Sequence, residues 1–243
     1  RTLNAGNIKV LAKSGVTRAS LGVQDFTPKV QQAINRIQSF ETVHLAVKKL
    51  RHAGIVAINL DLMIGLPYQT RDDVIHTVDL AAKLRPSRVT VFPYAHVPWL
   101  KKHQRMIREK VLPDVVLRRE QADAAATALE WHGYISVGQD HFALPNDPLA
   151  HAVKTHSLTR NFQGYTVDNA DAVIGFGPSA IGTLPQGYVQ NAHEFPAWRT
   201  MITNDMLATR RGIAFTLEDR RRRMAIENLM CHYSVDLGNL GLD

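Results

Sequence analysis

The stretch Ile55–Ile64, with the sequence IVAINLDLMI, is apolar at almost every position and is interrupted only by Asn59 and Asp61. A run of this kind predicts a β-strand that is buried on both faces of a parallel sheet. Gly65-Leu66-Pro67 ends the run, and Thr70 is suited to cap the helix that follows. The stretch therefore predicts a strand, a turn and a helix in succession, which is the repeating unit of an α/β fold.

Similar units are predicted on both sides of this stretch. The predicted strands are 17–24, 89–94 and 134–137, and the predicted helices are 41–53 and 114–131. This alternation indicates a parallel sheet wrapped by helices, which is either an open doubly wound sheet or a barrel. From about residue 190 the pattern becomes mainly helical, so we predict a domain boundary there.

The composition is that of an ordinary globular protein, with 243 residues of which 45% are hydrophobic and 21% are charged. The single cysteine, Cys231, excludes a disulfide framework and leaves too few thiolates for a cysteine-held zinc or iron–sulfur site. No apolar run approaches the roughly 20 residues of a membrane span, so we expect no membrane association and a cytoplasmic location. The chain opens at Arg1 rather than at a methionine, which favours a piece of a longer protein.

The formal net charge is +7, and the densest basic run is Arg220–Arg223. This run follows Glu218 and Asp219 and precedes Met224, which places it early on an amphipathic helix with a solvated basic face. No aromatic residues alternate with the arginines to stack on bases, so we expect no nucleic-acid partner.

Candidate site residues lie where predicted strands end, because α/β folds place their active sites at the carboxyl ends of strands. The polar residues at or beyond those ends are Gln24, Asp61, Tyr94, His96, Asp140 and His141. Asp61 stands out, because a carboxylate in an apolar strand costs several kcal/mol unless it is paired. It either binds a ligand or is a structural aspartate bonded to backbone amides or an arginine.

A second candidate is the glycine-rich segment Gly175–Gly182, GFGPSAIG. It lacks the third glycine of a dinucleotide fingerprint and contains a proline. It is therefore either a close backbone approach to a ligand or a tight structural turn.

Six segments, taken in order, resemble the oxygen-independent coproporphyrinogen III oxidases, a radical S-adenosylmethionine family of haem synthesis. They are GVQDF (22–26), VQQAINRIQ (30–38), NLDLMIGLP (59–67), YAHVP (94–98), DHFA (140–143) and RNFQGYT (160–166). The segments YAHVP and RNFQGYT favour the oxidase over the related haem-chaperone branch.

The resemblance implies an α/β fold that is an incomplete radical-SAM-type (β/α) barrel over 1–190, missing its first strands, with a short helical C-terminal extension over 191–243. It implies oxidative decarboxylation of coproporphyrinogen III to protoporphyrinogen IX, with S-adenosylmethionine and a [4Fe–4S] cluster as cofactors. The cluster's Cys-x-x-x-Cys-x-x-Cys motif is absent from this sequence, so no metal site is expected in it. We therefore expect the chain alone to be inactive, to expose an unpaired sheet edge and to have poor stability. The electron donor is not identified.

The resemblance also assigns five cofactor-binding residues. Gln24, Arg36 and Asp61 match positions that hold a second S-adenosylmethionine, and Ala95 and Ile181 match positions that contact the cluster-bound one. A guanidinium can bind the ligand's carboxylate in a forked arrangement, and Asp61 can bind its positive centre or its ribose hydroxyls. A non-catalytic haem- or porphyrin-binding module related to the chaperone branch is the alternative function.

Overall fold

The structure is a computed structural model that describes residues 3–238. The chain divides into two compact units after His151. The predicted boundary near residue 190 lies within a strand of the second unit, and the assignment of 1–190 and 191–243 to separate domains stays a prediction.

The first unit contains a five-stranded sheet in the order β1-β2-β3-β5-β4. Its strands are β1 (Arg18–Gln24), β2 (Ala57–Ile64), β3 (Arg88–Pro93), β4 (Ile135–Val137) and β5 (His141–Ala143). Its helices are α1 (Ala5–Lys13), α2 (Pro28–Ala33), α3 (Phe40–His52), α4 (Arg71–Lys83) and α5 (Val115–Trp131). Two short 3₁₀ helices, Lys102–Met106 and Glu109–Val111, precede α5, and α6 (Pro148–Lys154) spans the division between the units.

Helices α3, α4 and α5 begin within one residue of their predicted starts, whereas α1, α2 and α6 were not predicted. Thr70 caps α4, and a reciprocal bond between its backbone N–H and Asp73 completes a capping box. Asp114 caps α5 through its side chain, and Ser39 caps α3. These caps satisfy backbone N–H groups that a helix leaves unbonded in its first turn.

The sheet is parallel only in part. β1, β2 and β3 run parallel, whereas β5 runs antiparallel to β3 and β4 runs antiparallel to β5. The expectation of a wholly parallel sheet is wrong because only a few residues join β4 to β5, and a parallel crossover needs a dozen or more.

The expectation that β2 is buried on both faces is also wrong. Ile58, Leu60, Leu62 and Ile64 are buried, whereas the alternate residues Ala57, Asn59, Asp61 and Met63 are half-buried. The buried side chains join one core to which α1, α3, α4 and α5 contribute. We call the side that carries Ser20, Asn59, Asp61, Thr90 and His141 the polar face of the sheet.

The sheet is open, and among the described residues β1 pairs only with β2. The fold is therefore the predicted α/β arrangement without a closed barrel, and it presents the predicted edge.

The second unit contains a three-stranded antiparallel sheet in the order β10-β9-β8 and a separate β6-β7 hairpin. Its elements are β6 (Thr159–Asn161), β7 (Gly164–Thr166), β8 (Ile181–Leu184), β9 (Gly187–Asn191), α7 (Phe195–Thr203), β10 (Thr209–Ala214) and α8 (Leu217–His232). The region after residue 190 thus holds two helices with a strand between them.

The arginine run lies on α8, as predicted, but its face is not simply solvated. Arg220 stacks on Phe215, with its guanidinium carbon 5.7 Å from the ring centroid. Arg223 lies 5.9 Å from the ring centroid of Tyr188 and 5.7 Å from that of Phe215. These contacts are cation–π interactions, so Phe215, which shortly precedes α8, and Tyr188, which lies on β9, cover part of the basic face.

No helix within residues 3–238 has both the length and the apolar character that crossing a bilayer requires.

Candidate functional site

The site is arranged around four residues that lie side by side across the sheet, which we call the transverse row: Gly22, Asp61, Thr90 and His141. Gly22 pairs with Asp61, Asp61 with Thr90, and Thr90 with His141. Paired residues of neighbouring strands direct their side chains to the same face. The row therefore presents a carboxylate, a hydroxyl and an imidazole on the polar face.

Asp61 is held on the polar face by two neutral donors. Ser20 Oγ donates to Asp61 Oδ2 at 2.8 Å, and Asn59 Nδ2 donates to Asp61 Oδ1 at 2.7 Å. Thr90 Oγ1 in turn donates to Asn59 Oδ1 at 3.2 Å. The burial cost inferred from sequence is therefore reduced, because Asp61 is only half-buried and hydrogen-bonded. The structural alternative, an aspartate bonded to backbone amides or an arginine, is not what the described residues show.

Gln24 and Arg36 meet over Gly22. A Cβ atom added to Gly22 would lie 2.9 Å from Gln24 Nε2 and 3.2 Å from Arg36 Nη2. Arg36 Nη2 also donates to the Gly22 carbonyl. Because Gly22 pairs with Asp61, the structure brings together the three residues that the resemblance assigned to one ligand.

Gln24 has two features typical of a binding position. Its backbone is left-handed, with φ of 73°, where the register between β1 and β2 shifts. Its Oε1 atom is buried and has no hydrogen-bond partner among the described residues. Buried polar atoms are nearly always bonded, so this acceptor suits a donor from a ligand.

Ala95 follows β3 at the carboxyl end of the sheet and is exposed. Its carbonyl accepts a hydrogen bond from Gln104 Nε2 at 3.0 Å, while Gln104 Oε1 accepts one from the Val97 N–H at 2.6 Å. On either side of Ala95, the Tyr94 hydroxyl lies 3.2 Å from His96 Nδ1. Burial raises the pKa of Tyr94, so this hydroxyl stays protonated at neutral pH.

Ile181 begins β8 in the second unit, where its carbonyl accepts a bond from Gln163 Nε2 at 2.9 Å. The glycine-rich segment before it approaches the chain's own backbone, because a Cβ at Gly175 would lie 3.0 Å from the Ile181 carbonyl. Asn191 Nδ2 donates to the carbonyls of Gly175 and Gly177 at 3.0 Å each. These contacts favour the interpretation of the glycine-rich segment as a tight structural turn. A ligand role for Ile181 stays a prediction.

A buried polar network that the sequence analysis missed supports the strand ends. Asp25, Gln69 and Gln121 are each at most 2% exposed. Gln69 Nε2 donates to Asp25 Oδ2 at 2.7 Å, and Gln121 Nε2 donates to the Gln69 carbonyl at 2.7 Å. Gln121 Oε1 also accepts from the Gly65 N–H at 3.0 Å. The network ties the residue after Gln24 to the loop after β2 and to α5.

Burial raises the pKa of Asp25, and this effect outweighs the hydrogen bonds from Gln69 and Thr27, which lower it. The sequence signal for this network was weak, because isolated glutamines in helices and loops are usually exposed.

Asp140 and His141, both predicted beyond a strand end, form a pair with Asp140 Oδ1 at 2.6 Å from His141 Nδ1. His141 is the first residue of β5 rather than a loop residue. Its ring also meets the ring of Phe92 edge to face, at a centroid distance of 6.4 Å.

The residues present do not fit an iron–sulfur cluster. Residues 3–238 contain no group of three or more histidine, cysteine, aspartate or glutamate side chains that could hold a metal ion. The one cysteine, Cys231, is buried in α8, and burial raises the pKa of its thiol to about 11.

The chain is similar to proteins of one family. The profile of the Radical SAM superfamily matches residues 2–81. The oxygen-independent coproporphyrinogen III oxidase of Bradyrhizobium diazoefficiens is 52% identical over 240 residues, which are 99% of this chain and 53% of that protein. The anaerobic coproporphyrinogen III oxidase 1 of Cereibacter sphaeroides is 44% identical over 230 residues, which are 95% of this chain and 51% of that protein.

The solved structure of the Escherichia coli coproporphyrinogen III oxidase, described as a radical SAM enzyme, matches with a TM-score of 0.87 and 35% identity. The match covers 99% of this chain and 55% of that chain. These similarities confirm the resemblance drawn from the six sequence segments. The chain spans about half the length of the curated relatives it matches.

Proposed function

We propose that the polar face binds S-adenosylmethionine and substrate in an enzyme of the oxygen-independent coproporphyrinogen III oxidase type. The premise is that the chain is related over nearly its whole length to these oxidases. The reaction is the oxygen-independent oxidative decarboxylation of coproporphyrinogen III in haem synthesis. Two propionate side chains each lose CO₂, one hydrogen atom and one electron, and each becomes a vinyl group. The observation that carries the proposal is the 52% identity over 99% of this chain.

The polar face fits S-adenosylmethionine on features of the structure itself. The orphaned Gln24 Oε1 can accept a hydrogen bond from the ligand's amine or a ribose hydroxyl. Arg36 can bind the ligand's carboxylate, and the absence of a side chain at Gly22 lets Gln24 and Arg36 lie over this residue, whose strand partner is Asp61.

In the proposal, the residues of the polar face hold the second S-adenosylmethionine. The other, cluster-bound S-adenosylmethionine would supply, on receiving one electron from the cluster, the 5′-deoxyadenosyl radical that removes a hydrogen atom from the substrate. Asp61, fixed by Ser20 and Asn59, provides negative charge for the sulfonium or acceptors for the ribose diol. The hydrogen-bonded neighbours keep its carboxylate in one orientation without neutralising it.

The cluster-binding part of the activity is assigned to protein outside this sequence, because the cysteine motif is absent here. A cytoplasmic location is part of the proposal. Ala95 is proposed to contact the cluster-bound S-adenosylmethionine through backbone groups at the end of β3, and Ile181 is proposed as an apolar contact for the same molecule.

Equilibrium titration of the 243-residue chain with S-adenosylmethionine, followed by calorimetry, tests the proposal. We expect Asp61→Asn to weaken binding at least tenfold, equivalent to about 1.4 kcal/mol. Asp123→Asn is the matched control. The substitution removes the same charge, and Asp123 lies on α5 in an exposed ion pair with Arg119. Equal affinities of the two variants, with folding intact by circular dichroism, would reject the ligand site.

A haem titration separates the proposal from the alternative of a haem-binding module. Near-stoichiometric haem binding with a shifted Soret band, together with no binding of S-adenosylmethionine, would favour the module.

A further inference from the structure

A half-buried arginine, Arg118, lies at the carboxyl end of the first unit's sheet. Gly65 and Tyr94 directly follow β2 and β3, and the Tyr94 N–H donates to the Ile64 carbonyl at 2.8 Å. A Cβ atom added to Gly65 would lie 3.7 Å from Arg118 Nε and 3.7 Å from the Tyr94 Cβ. Arg118 and Tyr94 therefore flank one turn, at the end of the sheet where α/β folds bind their ligands.

Arg118 reaches this turn from α5 with part of its guanidinium unused. Its Nε donates to the carbonyl of the buried Pro113 at 3.0 Å, which orients the group. Among residues 3–238, Nη1 and Nη2 have no hydrogen-bond partner and no carboxylate within ion-pair distance, whereas the adjacent Arg119 pairs with Asp123 at 2.9 Å. A half-buried cation without a counter-ion suits an anionic ligand, and the planar guanidinium matches a carboxylate.

The charge of Arg118 does not stabilise α5. Arg118 is the fourth residue of this helix, whose first turn holds no acidic residue. The helix dipole opposes a positive charge near the amino end of a helix. Removal of the charge is therefore expected to leave α5 intact, so that binding can be tested separately from folding.

Apolar side chains adjoin the turn on the polar face. Met63 and Phe92 pair across β2 and β3, two residues before Gly65 and Tyr94, which is about 7 Å along a strand. Phe92 is 37% exposed and Met63 is half-buried. Beyond Asp61, the polar face therefore presents a thioether and an aromatic ring, and then a cation at its carboxyl end.

We propose that Arg118 binds a propionate carboxylate of the tetrapyrrole substrate while a pyrrole ring of the substrate lies against Phe92 and Met63. This inference rests on the proposed function and assigns part of its substrate subsite. A tetrapyrrole combines an apolar ring system with carboxylate arms, and this end of the sheet offers a partner for each. Gly65 is four residues, or about 13 Å, beyond Asp61 along the chain, which leaves the space over Gly22 to S-adenosylmethionine.

The test uses coproporphyrin III, the air-stable oxidised form of the substrate with the same four propionates, as a fluorescent probe of binding to the 243-residue chain. We expect Arg118→Gln to weaken coproporphyrin III binding at least tenfold and to leave the affinity for S-adenosylmethionine unchanged. Arg118→Lys is expected to weaken it by a smaller factor, because the charge remains but the forked geometry is lost. Phe92→Ala is expected to weaken it several-fold through the lost ring contact.

Arg51→Gln is the matched control. Arg51 is also half-buried, and its Nη2 donates to a backbone carbonyl, that of Arg85, at 2.6 Å. It lies in the last turn of α3, which precedes β2 and so lies toward the amino end of that strand. Loss of one positive charge or of an arginine–carbonyl bond would affect both variants, whereas loss of a subsite affects only Arg118→Gln. Arg118→Met, which retains the side-chain length, replaces Arg118→Gln if the latter has a lower thermal unfolding temperature than the control.

The outcomes separate the two proposals. If the chain binds S-adenosylmethionine but Arg118→Gln binds coproporphyrin III as tightly as the unchanged chain or the Arg51→Gln control, the subsite is overturned and the proposed function stands. The same holds if the unchanged chain binds S-adenosylmethionine but not coproporphyrin III, or if Arg118→Gln weakens only the binding of S-adenosylmethionine. Failure to bind S-adenosylmethionine in a folded chain rejects the proposed function, and with it the subsite.

Discussion

Gly22 shows how the absence of one side chain can determine a site. The Gln24 amide and the Arg36 guanidinium lie close to where a Cβ of Gly22 would stand, and Gly22 lies beside Asp61 in the sheet. Only a residue without a Cβ allows both groups to approach this closely.

Gly22→Ala is therefore expected to displace the side chains of Gln24 and Arg36 by a few tenths of an ångström or more. We expect at least tenfold weaker binding of S-adenosylmethionine in calorimetric titration, because the polar groups no longer converge on one ligand position. Gly6→Ala is the matched control, because it adds the same Cβ on α1, where only the Asn4 side-chain oxygen lies nearby, at 3.3 Å. A Gly22→Ala variant that binds as tightly as the unchanged chain would contradict this prediction.

The buried carboxyl group of Asp25 predicts how the stability of the chain depends on pH. Its pKa in the folded chain is raised by burial, so the folded state holds a proton more tightly than the unfolded state does. Its contribution to stability is then fully present below the unfolded pKa, near 3.8, and is lost as pH rises through the folded pKa. The free energy of unfolding of the unchanged chain, relative to that of Asp25→Asn, should fall as pH rises from this point.

Urea unfolding at a series of pH values measures this difference. The comparison with Asp25→Asn isolates Asp25 from Asp73, whose pKa is lowered by its bonds to Thr70 and Lys29 and which therefore has the opposite pH dependence. A constant difference between the two proteins at all pH values would show that Asp25 does not titrate differently on folding.

At the scale of the element, β2 combines structural and binding roles through its two-residue period. One set of alternate side chains joins the core, and the other set lies on the polar face with Asn59 and Asp61. A shift of register by one residue would exchange the two sets, so the apolar residues also fix the position of the site.

The two sets predict different costs of truncation. Leu60→Ala should destabilise the chain by about 2–5 kcal/mol, because Leu60 is fully buried in the core. Met63→Ala should cost clearly less, because Met63 is half-buried on the polar face. Denaturant unfolding of both variants measures the contrast, and equal destabilisation would contradict the one-sided burial of β2.

At the scale of the whole molecule, the sheet of the first unit has an unpaired edge. Among the described residues, β1 forms a strand pair only with β2, which leaves backbone groups of Arg18–Gln24 available to another strand. An edge of this kind can pair with a strand of another chain.

We therefore expect the 243-residue chain to self-associate as its concentration is raised to about 100 µM. Sedimentation velocity over a dilution series measures this, with the Asp123→Asn variant as a control for changes in surface charge. A sample that remains wholly monomeric and unfolds cooperatively would contradict this prediction and the expectation of poor stability.

The sequence by itself determined β1 to β4 and α3 to α5 of the first unit, two of the helix caps and the family resemblance, but it did not indicate α1, α2 or β5. These depend on local patterns: apolar periodicity, capping residues such as Thr70 and Asp114, and continuous strings of residues. The identity of Gln24, Arg36 and Asp61 as site candidates also came from such strings.

Only the tertiary structure decided which face of each strand is buried. The apolar run at 55–64 is compatible both with a strand buried on one face and with a strand buried on both faces. The tertiary structure also decided that β5 reverses direction, that Asp25 and Gln69 are buried together, and that Gly175 supports a turn of the chain's own backbone. Pairings between residues tens of positions apart depend on strand register and packing. The sequence around each residue does not indicate which distant residue it will pair with. The pairing of Gly22 with Asp61, which places Gln24 and Arg36 next to this carboxylate's strand, is an example, and the fold alone brings it about.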